Sequence, residues 1–221
     1  MKLEGDRRQE TGDRIFNSLP FTLYPFIIAM LEQLETSKSD AIVTLYDISW
    51  EKFEAIASIL EDTKVRLTYL DGTLDIMSPS REHEKSKSTV GLLLETYLRH
   101  IGRRFYTTGG YTLGSREEGA RGEPDESYNL NFVKPIPDIA IEVVITSGGV
   151  NKLEKYRRWG VPEVWFYQQQ IFIYHLHSGK YEQLTRSEFL SELDLNLFVC
   201  CLNMSDQYDA IIAFSTSLKH N

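Results

Sequence analysis

The chain has 221 residues, a net charge of −8, 42% hydrophobic and 25% charged residues, the profile of a globular domain that can bury one core and carry at most an added flap. No apolar run approaches the roughly 18 residues that span a bilayer, and the opening MKLEGDRRQE is too polar for a signal peptide. The acidity argues against a protein that coats nucleic acid non-specifically, because phosphate neutralisation dominates such binding; it leaves room for a nuclease, whose carboxylates hold a cation while basic residues cluster locally.

Residues 1–20 carry no period and read as a flexible arm; residues 21–221 read as a single domain with its core at about 45–200. The apolar segment FTLYPFIIAMLEQLETS (21–37) predicts a helix after Pro25 that covers the core or a partner. DISWEKFEAIASIL (47–60) opens on a candidate N-cap, Ser49, with Phe53, Ile56 and Leu60 at helical spacing. VRLTYLDGTLDIMSPS (65–80) predicts a hairpin, because Asp71-Gly72 supplies the positive φ angles of a type I′ turn. PSREHEKSKSTVGLLLETYLRHIG (79–102) predicts a long helix with an apolar stripe at Val90, Leu93, Leu94, Tyr97 and Ile101.

Short strands follow: RRFYTT, YTLGS, EPDESYNL and PDIAIEVVI. A short helix, NKLEKYRRWG, precedes the strand PEVWFYQ and the hairpin IFIYHLHSGKYEQL, turned at Ser178-Gly179. The order predicts a mixed α/β fold, a central mixed β-sheet flanked by helices with added hairpins. Cys200 and Cys201 are adjacent, so they are poorly placed to bridge each other, and their apolar setting predicts buried thiols. With no disulfide framework and no zinc-finger spacing, a cytoplasmic protein is expected.

The strand Ile139-Ala140-Ile141-Glu142-Val143-Val144-Ile145 holds a carboxylate inside the apolar run of a doubly buried strand. That charge is costly unless something positive faces it. Asp125, in EPDESYNL, precedes Glu142 by about one strand and a loop, so neighbouring strands would let the two side chains converge. Two hard oxygen donors with room left for water and phosphate describe a Mg²⁺ or Mn²⁺ site. A phosphodiesterase also needs a cation at the developing charge. The position two residues past Glu142 is Val144, so the nearest lysines are Lys152 and Lys155. Lys152 shares a helical face with Tyr156 and Trp159, and Gly148-Gly149 lets it fold back over Glu142; Lys155 is the solvent-side alternative.

An Asp, a Glu in an apolar strand and a following Lys resemble the PD-(D/E)XK, or restriction-endonuclease-like, nuclease superfamily, with the lysine displaced onto the next helix. YLDGTLDIMSPSREHE, EPDESY, PDIAIEVVITSGGVNKLEKY and RRWGVPEVWFY, in that order, are similar to the hallmarks of the Uma-two family of endonucleases. The resemblance covers roughly residues 45–200 and implies a PD-(D/E)XK fold with Asp125, Glu142 and Lys152 at the catalytic positions. It also implies a divalent metal, Mg²⁺ or Mn²⁺, on Asp125 and Glu142, DNA as the substrate and a homodimer, to which the apolar segment 21–34 could contribute. An acidic residue on the first core helix joins the site in the superfamily; Glu84 is the first candidate and Glu82 the second. Two other readings stand beside it: an inactive or structural dimeric interaction module that keeps the nuclease fold, and a phosphodiesterase acting on small molecules.

Plainer roles compete at each position. Asp125 could bond local backbone at a strand entrance, and Glu142 could sit in a structural ion pair. A lysine in a first helical turn is usually solvated, and Glu82 and Glu84 suit the helix dipole. His83 falls on the apolar stripe extended backwards, as an interior hydrogen-bonded histidine would. His175 and His177 read as hairpin residues, and Trp159, Trp165 and Phe166 as core. Arg103-Arg104 and Arg157-Arg158 are solvated helix ends, and also the only basic patches able to touch phosphates.

Overall fold

The computed structural model describes residues 39–145, 148–149 and 151–219; the arm expected over 1–20 and the helix expected over 21–37 lie outside the described residues. Among the described residues the chain forms two β-sheets and five helices.

The first sheet joins β1 (Ala41–Leu45), β2 (Arg66–Leu70), β3 (Thr73–Ser78), β5 (Leu113–Ser115) and β6 (Ala120–Gly122) in the order β1-β3-β2-β6-β5, antiparallel throughout. The turn between β2 and β3 has φ of 44° at Asp71 and 85° at Gly72, the two positive angles the sequence called for. Helix α1 (Trp50–Ile59) starts at Ser49, whose hydroxyl accepts the Lys52 N–H at 3.4 Å. It lays Trp50, Phe53 and Ile56 on this sheet, where Phe53 stacks on Tyr69 with ring centroids 4.8 Å apart.

The second sheet runs β11 (Lys180–Leu184), β10 (Ile171–His177), β9 (Glu163–Tyr167), β8 (Ile139–Val143), β7 (Glu126–Leu130) and β4 (Phe105–Thr107). It is mixed, because β8 and β9 pair in parallel and every other pair is antiparallel. A parallel pair needs a crossover, which α3 (Lys152–Trp159) supplies. Helices α2 (Arg81–His100), α4 (Leu195–Leu202) and α5 (Gln207–Leu218) cover one face, burying Val90, Leu93, Leu94, Phe198 and Phe214 against Ile139, Ile141 and Trp165. Helix α3 covers part of the other face, placing Tyr156 and Trp159 on Ala140 and Val164. Strand β8 is therefore covered twice and is buried throughout.

This is the central mixed sheet that the element order predicts; β1, β6, α4 and α5 come in addition. Strand β6 is three residues long, too short for a period to register. Helix α5 is rich in Ser, Thr and Ile and is held by Ala210, Phe214 and Leu218, at i, i+4 and i+8, packing on the core. The adjacent cysteines part on α4, Cys201 facing the core and Cys200 exposed, so the thiols are not both buried as expected.

Two glycines hold α3 in place by different means. Gly114 in β5 has φ of +95°, and a Cβ there would overlap the Ala120 carbonyl and the Trp159 indole; Gly160, at the α3 C-cap, has φ of +68° with open space around it. Gly114→Ala should cost on the order of 3 kcal/mol from left-handed strain plus overlap, and Gly160→Ala about 1 kcal/mol from strain alone. Thermal unfolding should rank them so, with a drop of roughly 2–4 °C for each kcal/mol; equal drops would contradict this account of the β5–α3 contact.

Candidate active site

Glu142 is 3% exposed in the middle of β8, and its charge is met entirely from α3. Asn151 caps that helix by accepting the Glu154 N–H at 3.1 Å. Positions 152, 155 and 156 then fall on one side, by the i, i+3, i+4 rule. Lys152 Nζ lies 2.7 Å from Oε2 of Glu142, Lys155 Nζ lies 2.9 Å from Oε1, and the Tyr156 hydroxyl donates to Oε1 at 2.5 Å. Burial pushes the Glu142 carboxyl up, but the charges of Lys152 and Lys155 win and hold it well below the usual carboxylate range.

The two lysines are not equivalent. Lys155 is 1% exposed at its side chain, so it is not the solvent-side residue expected from helical spacing; burial lowers its affinity for its proton more than Glu142 restores it. Lys152 is 23% exposed, and there burial is outweighed by Glu142, through its charge and hydrogen bond, together with the charges of Asp125 and Asp75, so the pKa is raised. Helical spacing treats α3 as amphipathic with one buried stripe. The helix in fact wedges between both sheets, and position 155 faces inward with Tyr156 and Trp159.

Asp125 stands one residue before β7, opposite Glu142 when the β7–β8 register is continued. Its backbone N–H donates to the Ile141 carbonyl at 3.1 Å, and its Oδ2 accepts the Val143 N–H at 2.7 Å. Its other oxygen is held by Arg66 of β2 and, at 3.0 Å, by Nε2 of His83. His83 is the buried histidine of the extended stripe. Its Nδ1 lies 2.9 Å from Asp40, which also accepts the Ser80 N–H at 2.7 Å. Burial works against the imidazolium, but hydrogen bonds to Asp125 and Asp40 raise its pKa to about 9, so it is charged at neutral pH. Arg66 reaches Glu84 at 2.8 Å with its second terminal nitrogen, so Glu84 joins Asp125 through one guanidinium. Glu82 does not; it is exposed, in the wall of a cleft of about 610 Å³ between α2 and the ends of β8 and β9.

Arg66, Asp40 and Asp75 escape the sequence reading, which gives Tyr156 only as a residue on the same helical face as Lys152. Asp75 lies in TLDIMS, buried between Leu74 and Ile76, the pattern that drew attention to Glu142. Its Oδ1 accepts from Thr44 at 2.6 Å and from the Gly149 N–H at 3.0 Å, and its charge is felt at Lys152. Asp40 and Arg66 become neighbours only because the first sheet packs against the start of α2, a contact that no local spacing encodes. Arg157 and Arg158 are held by Glu154, and Arg158 also by Asp71, so they are not free phosphate contacts.

Lys152 and Lys155 face Glu142, while Arg66, protonated His83 and Lys87 are paired with Asp125, Asp40 and Glu84. Among the described residues no three His, Cys, Asp or Glu side chains converge to hold a metal by themselves. The chemistry of the Asp125–Glu142 pair nevertheless suits a hard cation that keeps several of its own waters, as Mg²⁺ does. One Glu142 oxygen is fixed by buried donors, and the other, among the described residues, is held by the partly exposed Lys152.

A mixed sheet with carboxylates at its centre and a lysine-bearing crossover helix is a restriction-endonuclease-like fold, and the chain is of the nuclease class. A model of the Uma2 family, described as "Putative restriction endonuclease", matches residues 50–205. The chain belongs to that family, the Uma-two family its motifs resemble. Among solved structures, the crystal structure of a "putative nuclease belonging to DUF820" from Anabaena variabilis is 16% identical, with a TM-score of 0.41 over 67% of this chain and 90% of that one. No curated protein matches.

His83 gives a stability signature with a definite sign. Its folded pKa of about 9 lies above the ordinary 6.5, so its contribution is complete below pH 6.5 and is lost as pH rises to 9. The loss is about 3 kcal/mol at most. Urea unfolding in EDTA should show the wild type losing stability across that window relative to His83→Gln; parallel curves would rule out a charged His83. In the same buffer, Lys155→Met should cost on the order of 3 kcal/mol, since it breaks the fully buried ion pair and leaves Oε1 to Tyr156 alone, and Lys152→Met less. Equal costs would contradict the division between a fixed and an exchangeable lysine.

Proposed function

We propose that the protein is a metal-dependent endonuclease that hydrolyses phosphodiester bonds in DNA at Asp125 and Glu142. One observation carries the reading. Glu142, buried in a central strand and opposite Asp125, presents one oxygen to a partly exposed lysine from the crossover helix. A purely structural carboxylate gains nothing from a partner that can leave.

Asp125 and Glu142 would hold Mg²⁺ or Mn²⁺. When bound, such an ion supplies Lewis-acid polarisation of the phosphate and a more acidic water. The chain's own groups do the rest. Lys155 and Tyr156 pin Oε1 of Glu142, so the carboxylate keeps one orientation. His83 and Arg66 do the same for Asp125, with the Val143 N–H fixing its second oxygen. Lys152, released from Oε2, carries its charge to the attacking water or to the phosphoryl oxygens where charge develops. Glu84, exposed at the outer end of Arg66, sets the guanidinium's angle and could accept a proton at the rim. The low positive charge of the surface and the absence of a groove-reading motif in the sequence point to little intrinsic sequence specificity.

A second reading also has an observation behind it. Glu142, Asp125, Asp40 and Glu84 are each already paired with a cation, as they would be in a structural module that keeps the fold without the chemistry.

Plasmid nicking separates the two. Activity should require Mg²⁺ or Mn²⁺, vanish in Asp125→Asn and Glu142→Gln, and fall about 10²–10³-fold in Lys152→Ala, the usual loss for one electrostatic stabiliser. Mn²⁺ should raise the melting temperature of the wild type but not of Glu142→Gln. Nicking that persists in Asp125→Asn would place the site elsewhere, and no metal response in either assay would leave the structural module.

A further inference from the structure

The face of the sheet that carries Glu142 continues past it in aromatic residues. Directly paired residues share a face; Glu142 pairs with Phe166 of β9, and Phe166 pairs with Phe172 of β10. Tyr174, two residues along β10 on the same side, meets Phe166 edge-on at 5.7 Å between centroids. The sequence reading placed Phe166 in the core, but Phe166, Phe172 and Tyr174 are all only partly buried. Helix α3 packs on β8, the start of β9 and β11, and leaves this end of β9 and β10 open. A cavity of about 390 Å³ results, walled by the three rings, Val144, Gln168 and Lys152.

Such a cavity has a polar, charged end and an aromatic end, and the charged end belongs to the candidate active site. Phe166 lies one strand spacing from Glu142 and Phe172 two, about 4.8 and 10 Å, within reach of a base attached to a phosphate at the carboxylates. Aromatic walls are sequence-tolerant base platforms, and Gln168 at the rim can donate to or accept from a base edge. A paired base in a duplex has both faces stacked and cannot enter without leaving the helix.

We propose that the cavity beside Lys152 is a base subsite: it takes one unpaired nucleobase of a single-stranded or locally opened polynucleotide, stacked against Phe166, Phe172 and Tyr174, next to the phosphodiester at Asp125 and Glu142. The proposal rests on the nuclease reading and narrows its substrate to strands with an exposed base beside the scissile bond.

The test is a binding titration in EDTA, so that cleavage does not contribute, using one labelled oligonucleotide as a single strand and as a duplex with its complement. The single strand should bind at least tenfold tighter. An abasic scan along it should find one position whose loss weakens binding roughly 5- to 150-fold, the range for a stacked base. Phe172→Leu with Tyr174→Leu keeps the apolar volume, and a melting curve confirms the fold. That variant should bind the intact strand as weakly as the wild type binds the abasic one, and should no longer respond to the abasic site. Phe132→Leu, which removes an exposed ring outside the cavity, should behave as wild type. Equal affinity for both strands with a flat abasic scan overturns the subsite, as does wild-type affinity in the double variant. If metal-dependent nicking persists in those cases, the nuclease reading survives alone; a protein that binds and cuts no oligonucleotide overturns both.

Discussion

An ionised carboxylate in the middle of a strand covered on both faces loses its water and recovers nothing unless cations are brought to it, at a cost of several kcal/mol if they are not. The organisation of the protein around β8 follows from that constraint at Glu142. The chain leaves β8, passes through the loop that holds Gly148-Gly149, and starts a helix whose first turn delivers Lys152, Lys155 and Tyr156 to the one buried charge. The parallel β8–β9 pairing requires a crossover in any case. Here the crossover is also the counter-ion, so the topology and the charge balance are satisfied by the same eight residues.

Asp125 poses the same problem one strand away and is solved with residues from elsewhere. Its partners come from β2 and from the first turn of α2, and that turn is itself tied to Asp40, just ahead of β1. The first sheet is thus more than an added hairpin. It brings Arg66, Asp40 and Asp75 to the end of β7 and β8, and makes the site a junction that forms only when both sheets have docked. Ion pairs buried at such a junction stabilise weakly but are costly to break, which ties the integrity of the site to that of the fold.

The division between what could be read from the chain and what could not follows the range of the interactions. Ser49, Asp71-Gly72 and Ser178-Gly179 act within a few residues, and the cap and turns they foretell are present. Glu142 announced itself because a charge in an apolar run breaks a local pattern, and Asp75 in TLDIMS broke the same pattern without being noticed. The lysine question could not be decided by periodicity, because a single amphipathic stripe assumes one buried side. Helix α3 has two, against the sheet and against β5 and β6, so Lys155 is buried where a stripe would expose it. Arg66 and Asp40 carry no local signature at all; their roles arise from contacts 59 and 43 residues away in sequence.

Moving the lysine from the strand to the helix has a consequence for the surface. Had a cation occupied position 144, two residues past Glu142 on the same face, its side chain would fill the floor of the space beside Phe166. Val144 instead keeps its backbone N–H on Tyr167 at 2.9 Å and gives that space an apolar wall. Lys152 approaches from above, at the start of α3, and the rings of β9 and β10 stay partly exposed beside it. A cation supplied from the helix and an open aromatic face are therefore two results of one substitution in the motif. In the proposed nuclease, the departure from the usual spacing is what leaves room for a base next to the phosphate.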